Sequence, residues 1–122
     1  MLDHVSLSVT DPVRSQAFYA EALAPLGYKL ISQYEGGFGI GAEGGSAVWV
    51  AGGAAQKPIA HLAFRAQDRK QVDAFYRAAL AAGGKDNGKP GVRENYAPAY
   101  YAAFVLDPDG NNVEAVFHDG GG

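Results

Sequence analysis

The chain is 122 residues long, carries a formal net charge of -3 and contains no cysteine. That length holds one domain, or two half-domains sharing a core, and the missing thiols exclude disulfides, cysteine nucleophiles and cysteine-based zinc sites. The 10 basic residues are scattered among 13 acidic ones without a basic stripe, so neither nucleic acid nor, with no apolar run of roughly 18 residues, a membrane is an expected partner.

The chain enters a strand at once. Residues 4–10 alternate, with Val5, Leu7 and Val9 on one side and His4, Ser6 and Ser8 on the other. No leader pattern precedes this strand, so a cytoplasmic protein is expected. Asp11-Pro12 predicts a helix start, Asp as N-cap and Pro at the first helical position. The helix turns Phe18, Tyr19, Ala22 and Leu23 inward and stops near Gly27. Short strands follow at Tyr28–Tyr34, Gly37–Gly41 and Ser46–Ala51, separated by glycine-rich turns. After a linker over Gly52–Pro58, residues 61–66 form another strand and Asp68 caps a second helix. That helix carries Val72, Phe75, Tyr76, Ala79 and Leu80 on one face and ends at Gly83-Gly84. Lys85–Pro98 reads as a long polar loop, Ala99–Leu106 as a strand, Asp107-Pro108-Asp109-Gly110 as a turn, and Asn112–Phe117 as the last strand. The glycine tail, residues 119–122, is expected to lack fixed structure.

The segments at residues 4–27 and 61–84 are copies. Aligned without a gap they match at nine of 24 positions, among them His4/His61, Asp11/Asp68, Phe18/Phe75, Tyr19/Tyr76 and Leu23/Leu80. A repeat of this length is one supersecondary unit used twice. The expected architecture is α+β: two tandem β-α-β-β-β modules, residues 1–55 and 59–118 of a single domain. They build a cup-shaped mixed sheet with the helices on its convex side.

Strand parity says what lines the cup. Val5, Leu7, Val9, Leu62, Phe64 and Ala66 meet the helices, so His4 and His61 face away from them. In the last strand Val113, Ala115 and Phe117 take the helix-facing parity and Glu114 takes that of the two histidines. Two imidazoles and a carboxylate on one concave surface suit a divalent ion, Zn, Fe(II), Mn, Ni or Co, with positions left for water or substrate. A strand histidine is more often an ordinary surface or core residue; the shared repeat position is what favours a ligand here.

With HVSLSVTD–FY–AL at residues 4–23, its second copy at 61–80, and DPDGNNVE at 107–114, the sequence resembles the vicinal oxygen chelate superfamily over essentially its whole length. That superfamily groups glyoxalase I, extradiol dioxygenases, fosfomycin-resistance enzymes and bleomycin-resistance proteins. The resemblance implies paired β-α-β-β-β modules and maps three ligand positions onto His4, His61 and Glu114. Aligning residues 45–50 on 110–115 puts Trp49 where glyoxalase I has its other glutamate, both ligand and base, so glyoxalase I isomerisation is disfavoured. The resemblance also implies a homodimer, with modules paired within or between chains.

Other residues have weaker signals. Arg65 shares the parity of His61 and suits either an anionic substrate or a rim salt bridge. Trp49 and Phe104 suit an apolar wall of the pocket or plain packing. Tyr96, Tyr100 and Tyr101 flank the long loop, one of them a candidate acid or hydrogen-bond donor although strand aromatics usually serve packing, and Tyr100 has the better parity, that of Phe104. The expected function is a metal-dependent lyase, isomerase or dioxygenase. It would act on a small oxygenated molecule, with Glu114 and Tyr100 in the chemistry and Trp49, Arg65, Phe104 and Tyr96 as substrate contacts. The alternatives are a metal-free, ligand-sequestering protein of the bleomycin-resistance type and a scaffold with a vestigial site.

Overall fold

A computed structural model describes residues 2–95 and 99–118. Tyr96 and the glycine tail lie outside the described residues. The element order is β1 His4–Val9, α1 Pro12–Leu23, β2 Lys29–Tyr34, β3 Gly37–Gly41, β4 Ala47–Gly52, then β5 His61–Arg65, α2 Arg69–Ala81, β6 Lys85–Val92, β7 Tyr100–Leu106 and β8 Asn112–His118. Each half is therefore β-α-β-β-β. The strands are divided between two four-stranded mixed sheets, ordered β1-β4-β3-β2 and β5-β8-β7-β6, open rather than closed into a barrel. In each, the first strand runs parallel to the last.

The caps act as the sequence predicts. The Asp11 carboxylate accepts from the Arg14 amide at 3.2 Å and that of Asp68 from the Gln71 amide at 2.8 Å. A short 3-10 turn, Ala24–Leu26, finishes α1, and Gly27 at φ 87° closes it with its N–H on the Ala24 carbonyl. Leu7, Val9, Phe38, Ile40, Val48 and Val50 of the first sheet and Phe64, Ala103, Val105, Val113 and Ala115 of the second share one buried core with Phe18, Tyr19, Phe75 and Ala79 of the helices. A single core thus spans both halves.

Lys85–Val92, expected within a loop, is the edge strand β6, paired antiparallel with β7. Its sequence KDNGKPGV has no apolar alternation because the strand is exposed at an edge. Two register shifts, at Asp86/Gly88 and Gly88/Gly91, break the period further. Pro90 is tolerated there because an edge strand has one set of amides without ladder partners.

The Asp107-Pro108-Asp109-Gly110 turn does more than reverse the chain. The buried Asp107 carboxylate accepts from the Asn111 amide, the Asp109 amide and the Asn111 side-chain nitrogen, each at 2.9 Å, and from the hydroxyl of Tyr19 on α1. Asp109 accepts from the Thr10 amide at 2.8 Å and the Thr10 hydroxyl at 2.7 Å. The turn that leads into β8 is thereby clasped to the start of the first module. Burial and the neighbouring Asp107 raise the pKa of Tyr19 well above its ordinary value, and the hydrogen bond to Asp107 adds to the rise.

Candidate functional site

The second sheet positions Glu114 through its first strand. The Ala60 amide donates to Oδ1 of Asn111 at 2.8 Å, and the Asn112 amide donates to the Ala60 carbonyl at 2.9 Å. This fixes the parallel register in which His61 opposes Asn112 and Ala63 opposes Glu114. The imidazole and the carboxylate then meet on the face away from α2. Nε2 of His61 lies 2.8 Å from Oε1 of Glu114. The Tyr100 hydroxyl donates to Oε2 of the same carboxylate. The Glu114 side chain is 1% exposed and that of His61 54%. A carboxylate taken that far from water needs partners on both oxygens, and His61 and Tyr100 supply them. Phe104 stands directly opposite Glu114 on β7, its ring centroid 6.2 Å from that of His61. His118 packs edge-on against Tyr100.

The first sheet repeats this register with different side chains. His4 opposes Ala47 and Ser6 opposes Trp49, so Trp49 holds the sheet position that Glu114 holds in the second module. Across the next pair, Gly39 opposes Trp49 where Phe104 opposes Glu114. The indole lies on Gly39: a Cβ added there would be 2.5 Å from the ring. Trp49 faces away from α1, since Val48 and Val50 on either side are in the core. It lines a hollow of about 350 Å³ with Ser6, Ser8, Tyr34, Ala51 and Gln56.

The chain therefore brings Glu114, His61, Tyr100 and Phe104 together and leaves His4 and Trp49 on the other sheet. Trp49 lies on the first sheet and Phe104 on the second. Nδ1 of His4 is 2.7 Å from the Asp3 carboxylate, and its ring is 53% exposed. Among the described residues no three histidine or acidic side chains of one chain gather as a metal-binding group. Arg65 borders a groove of about 410 Å³ with Val5, Tyr28, Val48, Leu62 and Phe64 and makes no ion pair among the described residues.

The donor set fits a divalent ion in part. Two ligand atoms at about 2.1 Å from an ion and at right angles are about 3 Å apart, close to the 2.8 Å between His61 and Glu114. Among the described residues one chain brings two such donors together.

One residue of this face gave no sequence signal at the level of residue type. Arg93 directly follows β6, with Cζ 5.5 Å from the centroid of the Phe104 ring. The signal was indirect: glycines at 88 and 91 in a polar segment, which leave open the surface the guanidinium occupies.

The family model for the Glyoxalase/Bleomycin resistance protein/Dioxygenase superfamily matches residues 1–115. A glyoxalase/bleomycin resistance protein from Albidiferax ferrireducens T118 is similar in structure. It has a TM-score of 0.79 and 29% identity, over 96% of this chain and 98% of that one. A glyoxalase/bleomycin resistance protein/dioxygenase family enzyme from Burkholderia phytofirmans PsJN shares the fold at a TM-score of 0.76 and 20% identity, over 95% and 97% of the two chains. No curated protein matches the sequence significantly.

Proposed function

The chain belongs to the glyoxalase/bleomycin resistance protein/dioxygenase superfamily, and on that footing we propose that it is a divalent-metal-dependent enzyme of lyase, isomerase or dioxygenase type acting on a small oxygenated molecule. The observation that carries the reading is the His61–Glu114 pair, two donors already at the spacing of neighbouring ligands, with the carboxylate buried. His61 and Glu114 would hold the ion, together with His4 of a second copy. Asp3 engages Nδ1 of His4 and leaves Nε2 for an ion, the arrangement in which a carboxylate fixes the orientation of a ligating imidazole. The ion, when bound, would polarise the substrate's oxygens.

The chain's own groups do the rest. Tyr100 holds the second oxygen of Glu114 and keeps the carboxylate in one orientation; once released, its hydroxyl can donate to a developing oxyanion. Phe104 and the second copy's Trp49 supply apolar walls that exclude water. Arg65 stands at the rim. With Trp49 at the position of a second carboxylate, nothing on that strand can move the proton that glyoxalase I chemistry requires.

A homodimer follows from the same reading. Both histidines lie on sheet-edge strands, β1 and β5, and bare edges invite pairing. The groove between those strands is lined by Val5, Leu62 and Phe64, and the exposed Leu2 extends it. A second reading, a metal-free protein that sequesters a ligand, is favoured by one feature: both oxygens of Glu114 already have protein partners.

Metal analysis of protein purified without chelator separates the two. The enzyme reading expects about one ion per site, falling by about tenfold or more in His61→Ala and Glu114→Ala. Metal-free wild type that still binds ligand after reconstitution with Zn, Fe(II), Mn, Ni and Co has failed would support sequestration.

A further inference from the structure

We propose that Arg93 is a specificity-determining residue that selects ligands carrying a carboxylate at the His61–Glu114 centre. The inference rests on the reading that this centre binds a small oxygenated molecule, and adds its charge class. Arg93 follows the last residue of β6, and its amide donates to the Tyr100 carbonyl at 2.7 Å. The side chain then folds back along its own strand, where the guanidinium donates to the Lys89 carbonyl. Glycines make room for it. A Cβ on Gly91 would lie 3.0 Å from one guanidinium nitrogen, and one on Gly88 would lie 3.3 Å from the other and 2.9 Å from the Phe104 ring. The planar cation is thus laid over Phe104, Cζ 5.5 Å from its centroid.

Phe104 is the link to the centre: it faces Glu114 across the strands, and its ring is 6.2 Å from that of His61. Arg93 has no ion-pair partner among the described residues. Glu114, on the same face, has its oxygens taken by His61 and Tyr100. A guanidinium held in place by the Lys89 carbonyl, with no ion-pair partner among the described residues, beside an apolar ring and a polar centre, suits a ligand with a carboxylate at one end and a neutral oxygen at the other. The planar fork of arginine matches a carboxylate in a way a lysine does not.

The test is calorimetric and amide-NMR titration of the full-length protein with acetate, benzoate, pyruvate and the neutral pyruvamide. The variants are Arg93→Gln, Arg93→Lys and His61→Ala, with circular dichroism to confirm folding. Pyruvate is expected to bind wild type and to weaken about tenfold or more in Arg93→Gln. Arg93→Lys should fall between the two, and pyruvamide should bind Arg93→Gln and wild type alike. Equal pyruvate affinity in Arg93→Gln and wild type, no binding of any of the three carboxylates, or equal loss of pyruvate and pyruvamide in Arg93→Gln would each overturn the proposal. His61→Ala tells the two readings apart. If it spares pyruvate while Arg93→Gln does not, Arg93 selects carboxylates but the oxygen-binding centre is refuted. If it weakens pyruvate while Arg93→Gln does not, the centre survives and the role of Arg93 is refuted.

Discussion

Trp49 and Glu114 occupy the same place in the two modules. Each sits two residues along from the partner of its module's first-strand histidine, Ala47 for His4 and Asn112 for His61. The partners on the third strand trade size in compensation: Gly39 under the indole, Phe104 beside the carboxylate. One module keeps a donor and the other an apolar plate. A site that joined them, as proposed, would have three protein ligands and an open side for substrate.

Trp49 is the sole tryptophan and would report on such a joint site. Adding Co(II) to metal-stripped protein should quench its emission, and Glu114→Gln should abolish the quenching. Trp49→Glu should restore a fourth donor and strengthen metal retention, about tenfold or more by analogy with other ligand changes. Unchanged retention in Trp49→Glu would place residue 49 away from the ion.

The Tyr19–Asp107 contact joins residues 88 apart in sequence and locks α1 to the turn before β8. Tyr19→Phe should cost about 1–3 kcal/mol in urea unfolding, because the buried carboxylate loses a donor. The sign with pH is set by the raised pKa of the phenol. Its contribution is full below the unfolded value of 10.0. It is lost as pH rises from there toward the folded value, since only the unfolded phenol ionises readily. Wild type should therefore lose stability above about pH 10 more steeply than Tyr19→Phe.

Asp109 holds both the amide and the hydroxyl of Thr10. Asp109→Ala should lower stability by about 1–2 kcal/mol while leaving the His61–Glu114 geometry intact. A loss of metal as large as in Glu114→Ala would show that the clasp, and not just the strand register, sets the site.

The sequence made legible whatever depended on local period. Both helices and their Asp caps, the facing of Leu7, Val9 and Phe64, and the shared parity of His61, Glu114 and Tyr100 all follow from alternation and repeat spacing. Three things did not. β6 is polar, bulged and at an edge, so its residues carry no alternation. Arg93 lies over the Phe104 ring only because its side chain folds back over Gly88 and Gly91. The clasp by Asp107 and Asp109 joins residues far apart in sequence, and the turn residues that form it read locally as a hairpin. Nor does parity say whether two faces of like polarity meet in one chain. His4 and His61 share a parity and lie on different sheets.

A homodimer should be seen as a sedimentation mass about twice 12.7 kDa at micromolar concentration. A monomer at that concentration would leave His4 without a route to Glu114.

Mixing tests the joint site most directly. His4→Ala and Glu114→Gln, each expected to lose most of its metal, are combined, partly unfolded and refolded together, and assayed for bound ion. If the site is shared between copies, each mixed dimer regains one intact site from His4 of one chain and His61 with Glu114 of the other. Random pairing then restores about a quarter of the wild-type metal content. A mixture that holds no more metal than the average of the two variants alone would contradict a site built across two chains.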